Sequence, residues 1–152
     1  MRIAIGSDHA GYHLKETIAA RLRESDVDLL DVGTTGEASV DYPDYAAAVA
    51  NLVASRDCAR GILICGTGIG MAMAANKVNG IRAASVGDLE SARLCREHND
   101  ANVLTLGARI TPTDLALAIV RVFLDTPFAG GRHQRRVDKV MALEGPHADA
   151  AR

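Results

Sequence analysis

The chain has 152 residues, a formal net charge of −2 and a hydrophobic fraction of 48%, enough for one domain with a proper core and too little for two ordinary ones. A near-neutral charge and 3% aromatic residues exclude a basic, base-stacking nucleic-acid surface, and no apolar run is long enough to cross a bilayer. Three widely spaced cysteines, Cys58, Cys65 and Cys95, fit a reducing cytoplasm better than a disulfide framework.

The start, Met1-Arg2-Ile3-Ala4-Ile5, enters a strand pattern without the long apolar segment of a signal peptide. Residues 2–6 (RIAIG) read as a buried strand closed by glycine, followed by a polar loop, Ser7-Asp8-His9-Ala10-Gly11. Leu14, Ile18 and Leu22 recur at helical spacing, with Lys15, Glu16, Arg21 and Arg23 around them. That predicts an amphipathic helix over 11–24. Residues 28–33 (DLLDVG) give a second strand and 34–42 a longer polar loop. Pro43 opens a helix whose apolar face is Ala46, Val49, Ala50 and Val53. A third strand, 61–65, runs into glycines at 66, 68 and 70 and then a helix over 71–78. Residues 81–86 and 102–107 are the fourth and fifth strands. Between them Asp88 is the expected N-cap of a helix running to about His98. Thr111 is the expected N-cap of the next helix and Pro112 its first residue, with Leu115, Ala118, Ile119 and Val122 buried. Pro127 and Gly130-Gly131 break the chain before a last basic helix over about 132–143. Residues 145–152 are expected to be a disordered tail, which leaves a single domain over 1–144.

Five strand–helix units in strict alternation, with continuous apolar strands, imply an α/β fold. Right-handed crossovers make it a Rossmann-like, doubly wound three-layer sandwich with a five-stranded parallel sheet. Ligands bind such sheets at the carboxyl ends of the strands. The residues there are Asp8, His9, Thr34, Thr35, Cys65 through Gly70, Gly87 and Asp88.

The stretch 61–70, GILICGTGIG, is the centre of interest. Strand, glycine turn and helix start aim successive backbone N–H groups at an anion. A thiol placed there sits in a positive local field, which favours the thiolate. Three other readings compete. A dinucleotide could bind, with Asp88 as the ribose acid, but the sequence has G-x-G-x-G and not G-x-G-x-x-G, after the third strand and not the first. The loop could be a tight turn without a ligand, although three alternate glycines exceed what a turn needs. Cys65 could be a small buried hydrophobe, the reading that applies to Cys58 and Cys95. His9 and His13 lie four apart but lack the Glu of H-E-x-x-H, and Gly11 argues against a helix across both, so no metal site is expected. His98 ends a helix, where it can simply complement the helix dipole. Arg132 and Arg136 stand one helical turn apart, which suits a phosphate or a solvated basic face.

Together these residues resemble the B-type ribose-5-phosphate isomerases, a family that also holds isomerases of allose 6-phosphate and galactose 6-phosphate. The resemblance rests on IGSDHAG at 5–11, DYPDYA at 41–46, GILICGTGIGMAMAANKVNGIRAA at 61–84, REHNDANVLTLGAR at 96–109 and GGRHQRRV at 130–137. It implies an aldose–ketose isomerase working through an enediol, with neither metal nor cofactor. Cys65 falls at the position of the base that moves a proton between two carbons, and Thr67 at that of a helper on the neighbouring oxygens. The N–H groups of Gly66, Gly68, Ile69 and Gly70 would hold the enediolate, by oxyanion-hole logic. Asp8, His9 and Tyr42 match substrate-binding positions. His98 would open the sugar ring, with Asn99 beside it on the substrate. Arg109, Arg132 and Arg136 match positions that bind substrate, mainly its phosphate.

Because His98 precedes the fifth strand, it lies near the amino edge of the sheet, opposite Cys65. The expected assembly is therefore a homodimer or dimer of dimers with a shared active site, which agrees with the family's dimeric habit. The expected protein is a cytoplasmic isomerase of ribose 5-phosphate. The alternatives are the same chemistry on a hexose 6-phosphate or tetrose 4-phosphate, or a non-catalytic sugar-phosphate or nucleotide-binding module.

Overall fold

The structure, a computed structural model, describes residues 1–145; the expected tail, from 146 on, lies outside them. Five apolar stretches form strands β1 (Arg2–Ser7), β2 (Asp28–Asp31), β3 (Arg60–Cys65), β4 (Ala83–Ser85) and β5 (Val103–Gly107). All pair in parallel, in the order β2-β1-β3-β5-β4. The helices are α1 (Tyr12–Glu24), α2 (Tyr42–Ala54), α3 (Ile69–Ala75), α4 (Leu89–Glu97), α5 (Thr113–Asp125) and α6 (Arg132–Ala142).

The strand order dictates which face each helix takes. Connections that travel towards the β2 edge, through α1 and α4, must lie on one face if every crossover is right-handed; those travelling towards β4, through α2 and α3, must lie on the other. The core divides accordingly. Leu14, Ile18 and Leu22 of α1, Ala92 and Cys95 of α4 and Ile119 and Phe123 of α5 pack with Ile3, Ile5, Ile62 and Ile64. Ala46, Val49 and Val53 of α2 and Met71 and Ala75 of α3 pack with Ala4, Leu63 and Val103. The four central isoleucines are fully buried, and each contributes roughly 1.5–3 kcal/mol relative to exposure.

Several local expectations shift. Lys15, placed by the sequence among the charges around the α1 stripe, is 2% exposed. Its Nζ donates to Asp31 Oδ2 and Glu16 Oε1, at 2.6 Å each. Thr111 is not the N-cap of α5. Its N–H and that of Ile110 both bond the Gly107 carbonyl in a tight turn. Pro112, with φ −56° and ψ 146°, is itself the cap, one residue outside the helix. The fully buried α5 face is Ala116, Ile119, Val120 and Phe123, a rotation of about one residue from the expected stripe; Leu115 and Val122 are only partly buried. β4 keeps three residues, and α3 begins inside the glycine loop and ends at Ala75. Asp88 caps α4 as expected, with Oδ1 accepting the Ser91 N–H at 2.7 Å.

Candidate active site

The loop after β3 leaves towards α3 on one face, while the loops after β1 and β5 leave towards α1 and α5 on the other. Chain paths therefore diverge on both sides of Cys65, the kind of topological switch point at which doubly wound sheets bind ligands. Asp8 and His9 flank it from β1, and Arg109 flanks it from β5.

The glycine loop is shaped by the end of β5. The carbonyls of Cys65, Gly66 and Gly68 accept, in turn, the Ala108 N–H at 2.8 Å, the Arg109 N–H at 3.0 Å and the Thr105 hydroxyl at 2.7 Å. In a trans peptide the N–H points opposite to its carbonyl, so the N–H groups of Gly66, Thr67 and Ile69 face away from β5. Those of Gly66, Thr67 and Gly70 have no acceptor among the described residues. The Gly68 N–H donates to Cys65 Sγ at 3.1 Å. Gly68 has φ +79°, a conformation that costs a residue with a Cβ. A Cβ there would also lie 2.9 Å from the Leu106 carbonyl carbon.

Around this loop the flanking groups are fixed by short local bonds. Asp8 is buried, and its Oδ1 accepts the Gly11 N–H at 3.0 Å. The Val40 N–H donates to His9 Nδ1 at 3.2 Å, so the neutral imidazole carries its proton on Nε2. The Tyr42 ring covers Gly70, where a Cβ would meet Cζ at 2.6 Å. The Arg109 guanidinium lies against Gly66, with Nη1 3.0 Å from where a Cβ would stand. Thr67 is exposed, and its Oγ1 accepts the Ile69 N–H at 3.3 Å. Cys65 is buried at the mouth of this arrangement. Cys58 and Cys95 are buried elsewhere and unpaired. Burial pushes the Cys95 thiol up to about 11 and also raises Cys58.

A second cluster gathers His98, Asn99, Arg132 and Arg136. His98 ends α4, and its ring stacks on His133 of α6, with centroids 4.2 Å apart. Arg132 precedes His133 in the chain, and Arg136 shares a groove with Asn99, Asn76 and Val140. Partial burial of the ring, then the charges of His98, Arg132 and Arg136, hold the His133 imidazole below the usual histidine range.

The two clusters lie at opposite ends of the sheet. Cys65 is level with Gly107, and Gly61 with Val103, so the span of β5 separates them, about 13 Å at ~3.3 Å per residue. The sequence signals did not single out Thr105, Lys15 or His133. The readable trace of Thr105 is one polar residue inside a fully apolar strand. That of His133 is its place beside Arg132.

A family model described as Ribose/Galactose Isomerase matches residues 3–140. The chain belongs to the ribose/galactose isomerase family. Within this family, a putative sugar phosphate isomerase of Bacillus subtilis is 49% identical over 145 residues, 95% of this chain and 97% of the relative. Ribose-5-phosphate isomerase B of Escherichia coli is 48% identical over 143 residues, 94% and 96% of the two chains. The solved ribose-5-phosphate isomerase B of Clostridium thermocellum aligns with a TM-score of 0.94 at 53% identity, covering 95% and 97%. That of Mycoplasma genitalium with bound ribulose-5-phosphate aligns at 0.91 and 46%, covering 94% and 95%.

Proposed function

We propose that the protein is an aldose–ketose isomerase that interconverts ribose 5-phosphate and ribulose 5-phosphate, in the cytoplasm, at a site completed by two subunits. The observation that carries this reading is Cys65 Sγ in its own glycine loop, accepting the Gly68 N–H at 3.1 Å, while the N–H groups of Gly66, Thr67 and Gly70 have no acceptor among the described residues. Membership of the isomerase family, with a relative solved with ribulose-5-phosphate bound, supports it.

The ring of the sugar opens as His98 moves a proton from the anomeric hydroxyl to the ring oxygen. The Cys65 thiolate then takes the proton from C2, and the electron pair passes to O1. Of the loop N–H groups at Gly66, Gly68, Ile69 and Gly70 that hold this enediolate, those of Gly66 and Gly70 have no acceptor among the described residues and reach it directly. The Gly68 N–H bonds Cys65 Sγ and the Ile69 N–H bonds Thr67 Oγ1, which position those two side chains against it. These N–H groups are fixed in place before reaction, which is the condition for dipoles to stabilise a developing charge. Thr67 moves protons between O1 and O2, and Cys65 returns its proton to C1 to give the ketose. Asp8, His9, Tyr42 and Asn99 hold the hydroxyl chain; Arg109, Arg132 and Arg136 hold the phosphate. The developing charge is met by backbone dipoles, and the proposed steps call on no metal or cofactor.

The test is ribose 5-phosphate in deuterium oxide. Ketose should form with solvent deuterium entering at the transferred position, and Cys65→Ala should lower kcat by about 10²–10⁴-fold, the range for a lost acid–base group. Binding without exchange would make the protein a sugar-phosphate binding module. Faster turnover of a tetrose 4-phosphate or hexose 6-phosphate would move the assignment to that substrate.

A further inference from the structure

We infer that Thr105 is a positioning residue for the Cys65 loop: its hydroxyl anchors Gly68 so that the Gly68 N–H lies on the Cys65 sulfur. The inference deepens the proposed isomerase reading and rests on it for its catalytic consequence. β5 and the residues just after it grip three carbonyls of the loop, those of Cys65, Gly66 and Gly68. Two of these bonds come from backbone N–H groups and follow from the sheet. The third comes from a side chain, and it falls on the residue whose N–H reaches Sγ at 3.1 Å.

Gly68 is the point at which such an anchor matters. It sits at φ +79° between two other glycines, in a loop with more backbone freedom than any other residue type would leave. Its carbonyl also accepts the Ala72 N–H at 3.1 Å, so the first bond of α3 survives without Thr105. What the hydroxyl adds is a lateral tie at 2.7 Å to a fully buried strand residue, level with Leu63 on β3 and Ser85 on β4. A hydroxyl buried in an apolar strand is costly unless bonded, and Gly68 is the acceptor it finds.

Three variants separate positioning from mere packing. Thr105→Val keeps the shape and removes the donor, Thr105→Ser keeps the donor and removes the methyl, and Thr105→Ala removes both. Alkylation of Cys65 by iodoacetamide at pH 7.5, read peptide by peptide by mass spectrometry, reports the sulfur without any substrate. T105V should slow it about threefold to tenfold, the worth of one hydrogen bond. kcat for ribose 5-phosphate should fall by a similar factor, with KM within about twofold, and T105S should restore both. If T105V does not fold, T105A against T105S makes the same comparison. A wild-type alkylation rate in T105V or T105A, or T105S behaving like them, overturns the inference. If the wild-type protein does not isomerise the sugar, the function is wrong, and the alkylation rates still decide the role of Thr105.

Discussion

Lys15 shows how one side chain can be read wrongly from its neighbours in sequence and explained by its neighbours in space. Its ammonium is held by Asp31 and Glu16, and its stem crosses Gly33, where a Cβ would meet Cδ at 2.7 Å. Asp31 in turn accepts the Gly33 N–H at 2.9 Å, so the pair ties α1 to the turn that ends β2. Burial alone would lower the Lys15 ammonium; the bonds to Asp31 and Glu16 more than reverse this, and the net shift is upward from 10.5. A raised folded value means that the pair's stabilisation is complete below the ordinary lysine range and is lost as pH climbs through the folded value. Lys15→Met should cost about 1–3 kcal/mol near pH 8, less than a fully dry pair because both carboxylates reach solvent. The urea midpoints of wild type and variant should converge above pH 10.5; parallel curves there would count against the ion pair as the cause. The sequence could not reveal this pairing because Asp31 lies sixteen positions away and meets Lys15 only once β2 sits beside β1.

At the scale of elements, strand cores and helix stripes were legible because their periods are local properties. The ends were not, because tertiary bonds decide them. Asn76 illustrates this: its amide bonds both the N–H and the carbonyl of Ala83 at the sheet edge, which ends α3 and starts β4 together. The same limit hid the junction of α4 and α6. His98 and His133 belong to helices with no sequence signal linking them, yet their rings stack. Partial burial and the charges of His98, Arg132 and Arg136 lower the His133 imidazole, partly offset by Glu97. A depressed folded value means that the unfolded chain binds the proton more readily, so stability is intact above about 6.5 and falls as pH drops. His133→Gln should therefore flatten the acid side of the profile: the urea midpoint should change less between pH 7.5 and 5.5 than in wild type. An unchanged slope would show that the stack does not resist protonation.

At the scale of the whole molecule, the strand order 2-1-3-5-4 sets where every functional group can stand, and no local motif states it. It puts Asp8, His9 and Arg109 around Cys65 at the carboxyl ends, and leaves His98, Asn99 and Arg136 with the far end of β5. No rotation of a side chain crosses the intervening strand, and this supports the proposal that a reaction using both Cys65 and His98 would draw His98 from a second copy of the chain. In a two-fold dimer each site would take Cys65 from one subunit and His98 from its partner, twice over. Cys65→Ala and His98→Ala proteins should each be nearly inactive alone. Mixed dimers then hold one site with both residues intact and one with neither. Random exchange in an equal mixture makes half the dimers mixed, so activity should recover to about a quarter of wild type. Native mass spectrometry would give the mixed fraction, and recovery should track it in proportion. Mixed dimers with no recovered activity would place both residues in a site of one chain and end the shared-site proposal.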